Sequence, residues 1–194
     1  YDREKYPNVL RMEGLNGRPV MMHVSNFRPV KRVTDVVRVF ARVTGQVPSV
    51  LVMVGDGPDR VQAEEEARRL GVEQSVFFLG KIEAVAPLLA AADLFLLPSA
   101  NESFGLSALE ALASGVPVIA SRVGGIPEVV RDGETGVLCG VGDVDGMARA
   151  AVGLLTDRSR WETMSAAAAA DARSRFALAD ILGQYERLYA DAAR

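Results

Sequence analysis

Six short apolar runs recur along the chain, over residues 20–25, 50–55, 76–79, 94–97, 116–120 and 136–139, and most are continuous rather than alternating. A strand buried on one face alternates apolar with polar side chains, whereas a strand covered on both faces is apolar throughout. Continuous runs therefore place these segments in a parallel sheet with helices on both sides. Helical spacing fills the intervals. The clearest stretch carries Val33, Val36, Val37, Phe40 and Val43 on one stripe, against polar Asp35, Arg38 and Arg42. Further helices are expected over 59–70, 84–92, 105–113 and 127–131, the last with Pro127 at a first helical position, where its missing N–H costs nothing. This alternation predicts an α/β fold, a doubly wound, Rossmann-like parallel sheet with right-handed crossovers.

From Asp143 onward the pattern is almost entirely helical, including the alanine run from Ala166 to Ala170 and the closing "ILGQYERLY" with Ile181, Tyr185, Leu188 and Tyr189 on one stripe. No internal repeat and no long Gly/Ser linker divides the chain. The expected organisation is a connector over 1–18, one Rossmann-like domain over 19–176 and a final helix over 177–194.

Composition narrows the class. With 49% hydrophobic and 24% charged residues and a net charge of −3, the 194 residues describe a globular protein and give no electrostatic reason to expect nucleic acid as a partner. No apolar run approaches the ~20 residues of a membrane span, and "YDREKYPNVLRMEG" lacks the layout of a signal peptide, so a cytoplasmic location is expected. The single cysteine, Cys139, forms no internal disulfide and suits a reducing compartment. As a nucleophile it would have only His23 to serve as base. His23 lies in a strand without a second histidine for metal ligation, and reads as a core or pocket residue. A homo-oligomer is compatible with the sequence.

Ligands of open parallel sheets bind beyond the carboxyl ends of the strands. Four loops lie there: "HVSNFRPVKR", "VGDGPDR", "LGKIE" and "LPSANESFGL". In the last, Glu102 falls at the mouth of a helix and Glu110 upon it, where five residues correspond to about 7.5 Å of axial rise. Two carboxylates so spaced can contact different parts of one extended ligand, each accepting bonds from neighbouring hydroxyls. The free N–H groups between them, with the positive end of the helix dipole, suit a phosphate. Leu106, Leu109, Ala111 and Leu112 around Glu110 place it among core positions, where an unpaired carboxylate is costly. The competing reading makes Glu102 a helix cap and Glu110 an ordinary surface residue. "GVGDVDG" contains a metal-binding-like DxD, but reads better as a loop in which Asp143 caps the next helix. "VGDGP" is either a pocket-lining or a plain Gly-rich turn, and no GxGxxG follows the first strand, which argues against an oxidoreductase.

The run "ESFGLSALE", followed by "ALASGVPVIAS" and "GGIPEVV", resembles the E-x7-E region of the retaining glycosyltransferases of family 4, which have the two-domain GT-B fold. The resemblance extends from Val20 to about Tyr189 and corresponds to the C-terminal, nucleotide-sugar-binding half. It implies an N-terminal acceptor-binding domain as a missing partner, to which residues 1–18 connect and 177–194 cross back. Glu102 would contact the donor sugar and Glu110 the ribose, with the amides of Ser103, Phe104, Gly105 and Leu106 facing sugar and diphosphate. Lys31 would neutralise the diphosphate, making Lys31 and Glu102 the catalytic pair, with no metal or other cofactor. The family commonly has an arginine five positions before that lysine. Asn26 stands here instead, leaving Arg28 or a helix N-terminus to supply the second phosphate contact. Lys81 and Ile82 would face the nucleobase, where a plain strand-to-helix turn is the alternative. Gly124 and Gly125 either approach the donor sugar or form a tight turn.

Within the family, "HVSNFRPVKR", "LLPSANESFGL" and "QYERLY" are most similar to members that transfer N-acetylglucosamine from UDP-N-acetylglucosamine to L-malate in bacillithiol assembly. Members using UDP-glucose or GDP-mannose, and a non-catalytic nucleotide-sugar-binding domain, are the alternatives.

Overall fold

The computed structural model describes residues 17–177, together with Leu182 and Tyr189. Almost all of the connector over 1–18 and of the final helix over 177–194, including Ile181, Tyr185 and Leu188, lies outside the described residues.

Strands β1 (Val20–Val24), β2 (Val50–Val54), β3 (Val76–Gly80), β4 (Leu94–Leu97), β5 (Val118–Ser121) and β6 (Gly136–Cys139) form one sheet in the order β3-β2-β1-β4-β5-β6. Every pairing is parallel. Helices α1 (Val33–Thr44), α2 (Arg60–Arg69), α3 (Ala86–Ala90), α4 (Leu106–Ala113), α5 (Ile126–Val129), α6 (Val144–Thr156) and α7 (Arg158–Arg175) cover the two faces. β2, β4 and β5 are buried at every residue, as their uninterrupted apolar sequence requires. One apolar layer gathers Val52, Phe95, Leu97 and Val118 with Leu112 of α4, and the other gathers Leu51, Met53, Leu94 and Leu96 with Val36 and Phe40 of α1.

Boundaries follow the sequence reading to within a residue or two, with one instructive difference. The fifth strand begins at Val118 rather than Val116. Gly115, at φ +71°, ends α4 in a Schellman motif, with Gly115 N–H donating to the Leu112 carbonyl at 2.8 Å and Val116 N–H to that of Ala111 at 2.9 Å. Pro117, without an N–H, then passes the chain into the sheet. Asp143 caps α6 as expected, its Oδ1 accepting the Gly146 N–H at 2.8 Å, while Asp145 pairs with Arg42 of α1. Both carboxylates of the DxD are thus engaged by the protein.

The order of strands carries the main consequence. The chain winds outward from β1 through β2 to β3, then returns to the far side of β1 as β4, so the loops after β1 and β4 leave in opposite directions. Such a reversal opens a crevice at the carboxyl ends of the two central strands. Here the β1–β4 ladder pairs only Met21 with Leu94 and Met22 with Phe95.

A charged clamp holds α1 against α2. Buried Asp35 accepts from Arg32 and Arg38, and Arg38 also donates to Glu66, which accepts from Arg69. These guanidinium bonds, that of Arg69 foremost, hold the Glu66 carboxyl at about 2 against an ordinary 4.5. A carboxylate depressed on folding contributes stability that is complete above the unfolded pKa and lost as pH falls towards the folded one. The melting temperature of the wild type is therefore expected to fall between about pH 4.5 and 2 more steeply than that of Glu66→Gln, as read by scanning calorimetry; parallel curves would reject the assignment.

Candidate active site

The loop from β1 is built to present Lys31. Ser25 N–H bonds the Val54 carbonyl at 3.1 Å and Phe27 N–H that of Asp56 at 3.0 Å, stitching the start of the loop to the end of β2. Phe27 is wholly buried beneath it. The chain then turns through a 3₁₀ segment, Pro29–Lys31, and leaves it at Arg32 in the left-handed region, φ 51°, the one non-glycine residue with positive φ among the described residues. That conformation costs of order 1 kcal/mol or more, and Arg32 Nε, bonded to buried Asp35 at 2.7 Å, helps to hold it. Lys31 is thereby turned inward, over the crevice.

The loop from β4 brings Glu102 to the same place. Lys31 Nζ lies 2.6 Å from Glu102 Oε1, and the buried Ser99 hydroxyl donates to the same oxygen at 2.8 Å. Glu102 is only 9% exposed and Lys31 19%. A third link, from Ala100 N–H to the Val30 carbonyl at 2.8 Å, ties the two loops together. Two residues 71 positions apart become an ion pair at the mouth of the crevice.

Gly124 and Gly125 explain how Glu102 is aimed. Gly125 N–H donates to the Glu102 carbonyl at 3.0 Å. A Cβ on Gly124, at φ +50°, would lie 1.8 Å from that carbonyl oxygen, and one on Gly125 would lie 2.3 Å from the carbonyl of Ser103. Only backbone fits, so the turn of "GGIPEVV" is the bed on which the Glu102 loop rests. The next residues start α4. Gly105, at φ +92°, is its N-cap, and its carbonyl accepts from Ala108 and Leu109. Leu106 and Ser107 belong to the first turn, whose N–H groups an α-helix leaves without intrahelical acceptors. Ser103 is exposed, and half-buried Phe104 packs edge-on against Phe176 with ring centroids 5.9 Å apart.

Glu110 lies on α4 as expected, but its surroundings are less apolar than its neighbours in sequence imply. Ala111 and Leu112 are buried, whereas Leu109 and Glu110 are half-buried and Leu106 is 68% exposed. Leu106 and Glu110, one helical turn apart, share a face turned away from the core, which Ala108, Ala111 and Leu112 occupy.

Asn26, Lys81 and Ile82 meet with Val24, Ser25, Val54, Gly55 and Asp56 around a cleft of about 240 Å³ over the ends of β1, β2 and β3. Gly55 allows this approach: its Cβ would stand 1.8 Å from the Ser25 carbonyl oxygen. Glu110 is not among the residues lining the cleft. Arg28 is exposed and makes no ion pair with the described residues. Residues that sequence reasoning missed are Ser99, whose buried hydroxyl holds Glu102, and Ser25, which lines the cleft. Neither has a periodicity or motif to mark it. Cys139 is half-buried, and desolvation pushes its thiol up from the ordinary value, away from the thiolate a nucleophile needs. Among the described residues no three His, Cys, Asp or Glu side chains gather as a metal site, and no helix is long and apolar enough to cross a membrane.

Residues 9–171 match the family model of the glycosyl transferases group 1. The chain belongs to this family. Among curated glycosyltransferases it is 47% identical to N-acetyl-alpha-D-glucosaminyl L-malate synthase of Bacillus anthracis, over 90% of this chain and 46% of that protein. It is 36% identical to a GDP-mannose-dependent alpha-(1-6)-phosphatidylinositol monomannoside mannosyltransferase of Mycolicibacterium smegmatis, over 85% of this chain and 44% of that one. The chain thus spans less than half the length of these curated relatives. Among solved structures, HepE of Anabaena in complex with UDP and glucose superposes with a TM-score of 0.89 at 28% identity, covering 98% of this chain and 55% of that one. The parallel sheet and its flanking helices therefore have the Rossmann-like fold found in the GT-B glycosyltransferases.

Proposed function

We propose that this chain is the donor-binding half of a retaining glycosyltransferase that transfers N-acetylglucosamine from UDP-N-acetylglucosamine to L-malate, the first step of bacillithiol assembly. The observation that carries the reading is the Lys31–Glu102 pair at 2.6 Å, at the point where strand order reverses. In the free protein each partner neutralises the other. With donor bound, Lys31 turns to the diphosphate and Glu102 to the hydroxyls of the sugar. Charge accumulates on the diphosphate as the glycosidic bond breaks, and a fixed ammonium stabilises it there without any metal ion. The malate hydroxyl attacks from the same face of the sugar, its proton passing to the departing phosphate oxygen, so the anomeric configuration is retained. The acceptor-binding half supplies the malate contacts, and the reaction is cytoplasmic.

The cleft at Asn26, Lys81 and Ile82 suits the base, and its wall includes Ser25 and Asn26 at the start of the loop that bears Lys31. Identity of 47% to the malate synthase supports the choice of donor and acceptor. Glu110 takes the ribose. A carboxylate–hydroxyl bond contributes about 1.5–3 kcal/mol, so Glu110→Ala is expected to weaken UDP binding by about 10- to 100-fold in titration calorimetry. Unchanged affinity rejects the ribose assignment. UDP-N-acetylglucosamine is expected to raise the melting temperature more than GDP-mannose at equal concentration; the opposite order assigns the chain to the guanosine-sugar users instead.

A further inference from the structure

The β1–β4 ladder stops at Met22 and Phe95, and the next side chain along β1, His23, spans the opening. Its Nδ1 lies 2.8 Å from the carbonyl oxygen of Leu96 in β4, and its Nε2 lies 2.7 Å from Oγ of Ser25, just past the end of β1. The ring is fully buried, with Phe27 at 6.1 Å and Phe95 at 6.4 Å between centroids. The ring thus replaces a rung of the sheet where the two strands part.

These partners decide the tautomer. Desolvation brings the imidazole down to about 4; the Leu96 bond and Glu102 oppose this and Lys31 adds to it. At neutral pH the ring is uncharged and carries a single N–H. The Leu96 carbonyl accepts and never donates, so the proton is on Nδ1 and Nε2 holds a lone pair. Ser25 has one hydroxyl proton, and Nε2 takes it. Whatever Ser25 Oγ offers to another group is then a lone pair. Ser25 lines the 240 Å³ cleft beside Asn26, Lys81 and Ile82.

We propose that His23 is a positioning residue and Ser25 a specificity-determining one: the imidazole fixes the Ser25 hydroxyl as an acceptor-only group in the wall of the cleft. This rests on the donor-binding reading above. The wall takes a hydroxyl or N–H of the nucleoside at this point and disfavours an anionic oxygen, which directs the diphosphate to the Lys31 side. The histidine acts without changing charge, and its role is the direction of one proton.

His23 is the one histidine of the sequence, so nitrogen-15 imidazole spectra of the labelled chain contain one residue. The expected result at neutral pH is a protonated Nδ1 and a bare Nε2; a protonated Nε2 overturns the proposal. With UDP as the probe in calorimetry, Ser25→Ala is expected to bind about 3- to 10-fold more weakly, the loss of one neutral hydrogen bond. Equal affinity overturns the role of Ser25. Asparagine in place of His23 keeps the bond to Leu96 and gives up Ser25, whereas glutamine keeps an acceptor for Ser25 and gives up Leu96. His23→Asn is therefore expected to match Ser25→Ala, and His23→Gln to stay within about twofold of wild type, although both lose a packed ring and melt earlier. Losses of UDP affinity that follow melting temperature in both variants reduce His23 to a structural residue and overturn the proposal. If the unsubstituted chain binds no UDP, the donor-binding reading fails, and the clause on ligand choice with it; the imidazole spectrum then decides the proton arrangement alone.

Discussion

On the function proposed above, Lys31→Met, introduced into a chain joined to an acceptor-binding half, is expected to lower kcat/KM for sugar transfer by about 100- to 1,000-fold, the scale of removing one preorganised stabiliser of developing charge. Folding is expected to suffer as well, for a separate reason. Glu102 is 9% exposed, and without Lys31 its partner is the Ser99 hydroxyl. Removing one member of a buried pair leaves an uncompensated carboxylate, at about 3 kcal/mol. The double variant Lys31→Met, Glu102→Gln separates the two effects: stability returns towards wild type in thermal melts, while transfer stays at least as low as in the single variant. Recovery of transfer in the double variant would show that Lys31 serves only to neutralise Glu102.

Gly124→Ala is expected to have the next largest effect, although Gly124 is not among the residues around the cleft at Asn26, Lys81 and Ile82 and bears no functional group. The added methyl would stand 1.8 Å from the Glu102 carbonyl oxygen and 3.2 Å from Asn101 Oδ1, so the Glu102 loop has to move. A displacement of about 1 Å at a reacting group costs on the order of 100-fold in rate. The backbone adds its own penalty, because φ is +50° and alanine there costs about 1 kcal/mol. Gly133→Ala is the control. It has φ +82° with nothing within 4 Å of the new methyl, so it carries the conformational cost alone. Transfer rates and melting temperatures of the two variants measured side by side give the answer: similar stability losses with activity lost only at Gly124 support the aiming role, and equal activity in both removes it.

Much of this molecule is written locally. The strands β2, β4 and β5 are buried on both faces, and residues that must be apolar on every side leave an uninterrupted signal. Helix α1 announces itself because its inward stripe is wide and its outward face charged. The expectation that Lys31, Glu102 and Glu110 share one site rests on their resemblance to a family pattern; the structure pairs Lys31 with Glu102 and sets Glu110 on α4, apart from the residues lining the cleft. Their loops follow strands, and open parallel sheets bind ligands there. Less could be read around Glu110. Its apolar neighbours in sequence implied a core position, but on a helix only every third or fourth residue shares a face, and the turn bearing Leu106 faces outward. Ser99 and Ser25 had no local signal, since what they do depends on atoms far along the chain; the two glycines under Glu102 were legible as a tight turn, but not as the support of a loop more than twenty residues earlier.

The sequence by itself determined the parallel α/β class, the positions of most elements, the cap at Asp143, and the residue types placed beyond the carboxyl ends of the strands. Those properties depend on side-chain period, on propensity and on short-range hydrogen bonds. Tertiary structure alone decided that β4 returns to the far side of β1, and with it that Lys31 meets Glu102, that Gly124 lies against the backbone of Glu102, and that His23 bridges to Leu96 and Ser25. Strand order is chosen by how buried faces share two layers of helices, a property of the whole core that no window of the sequence contains.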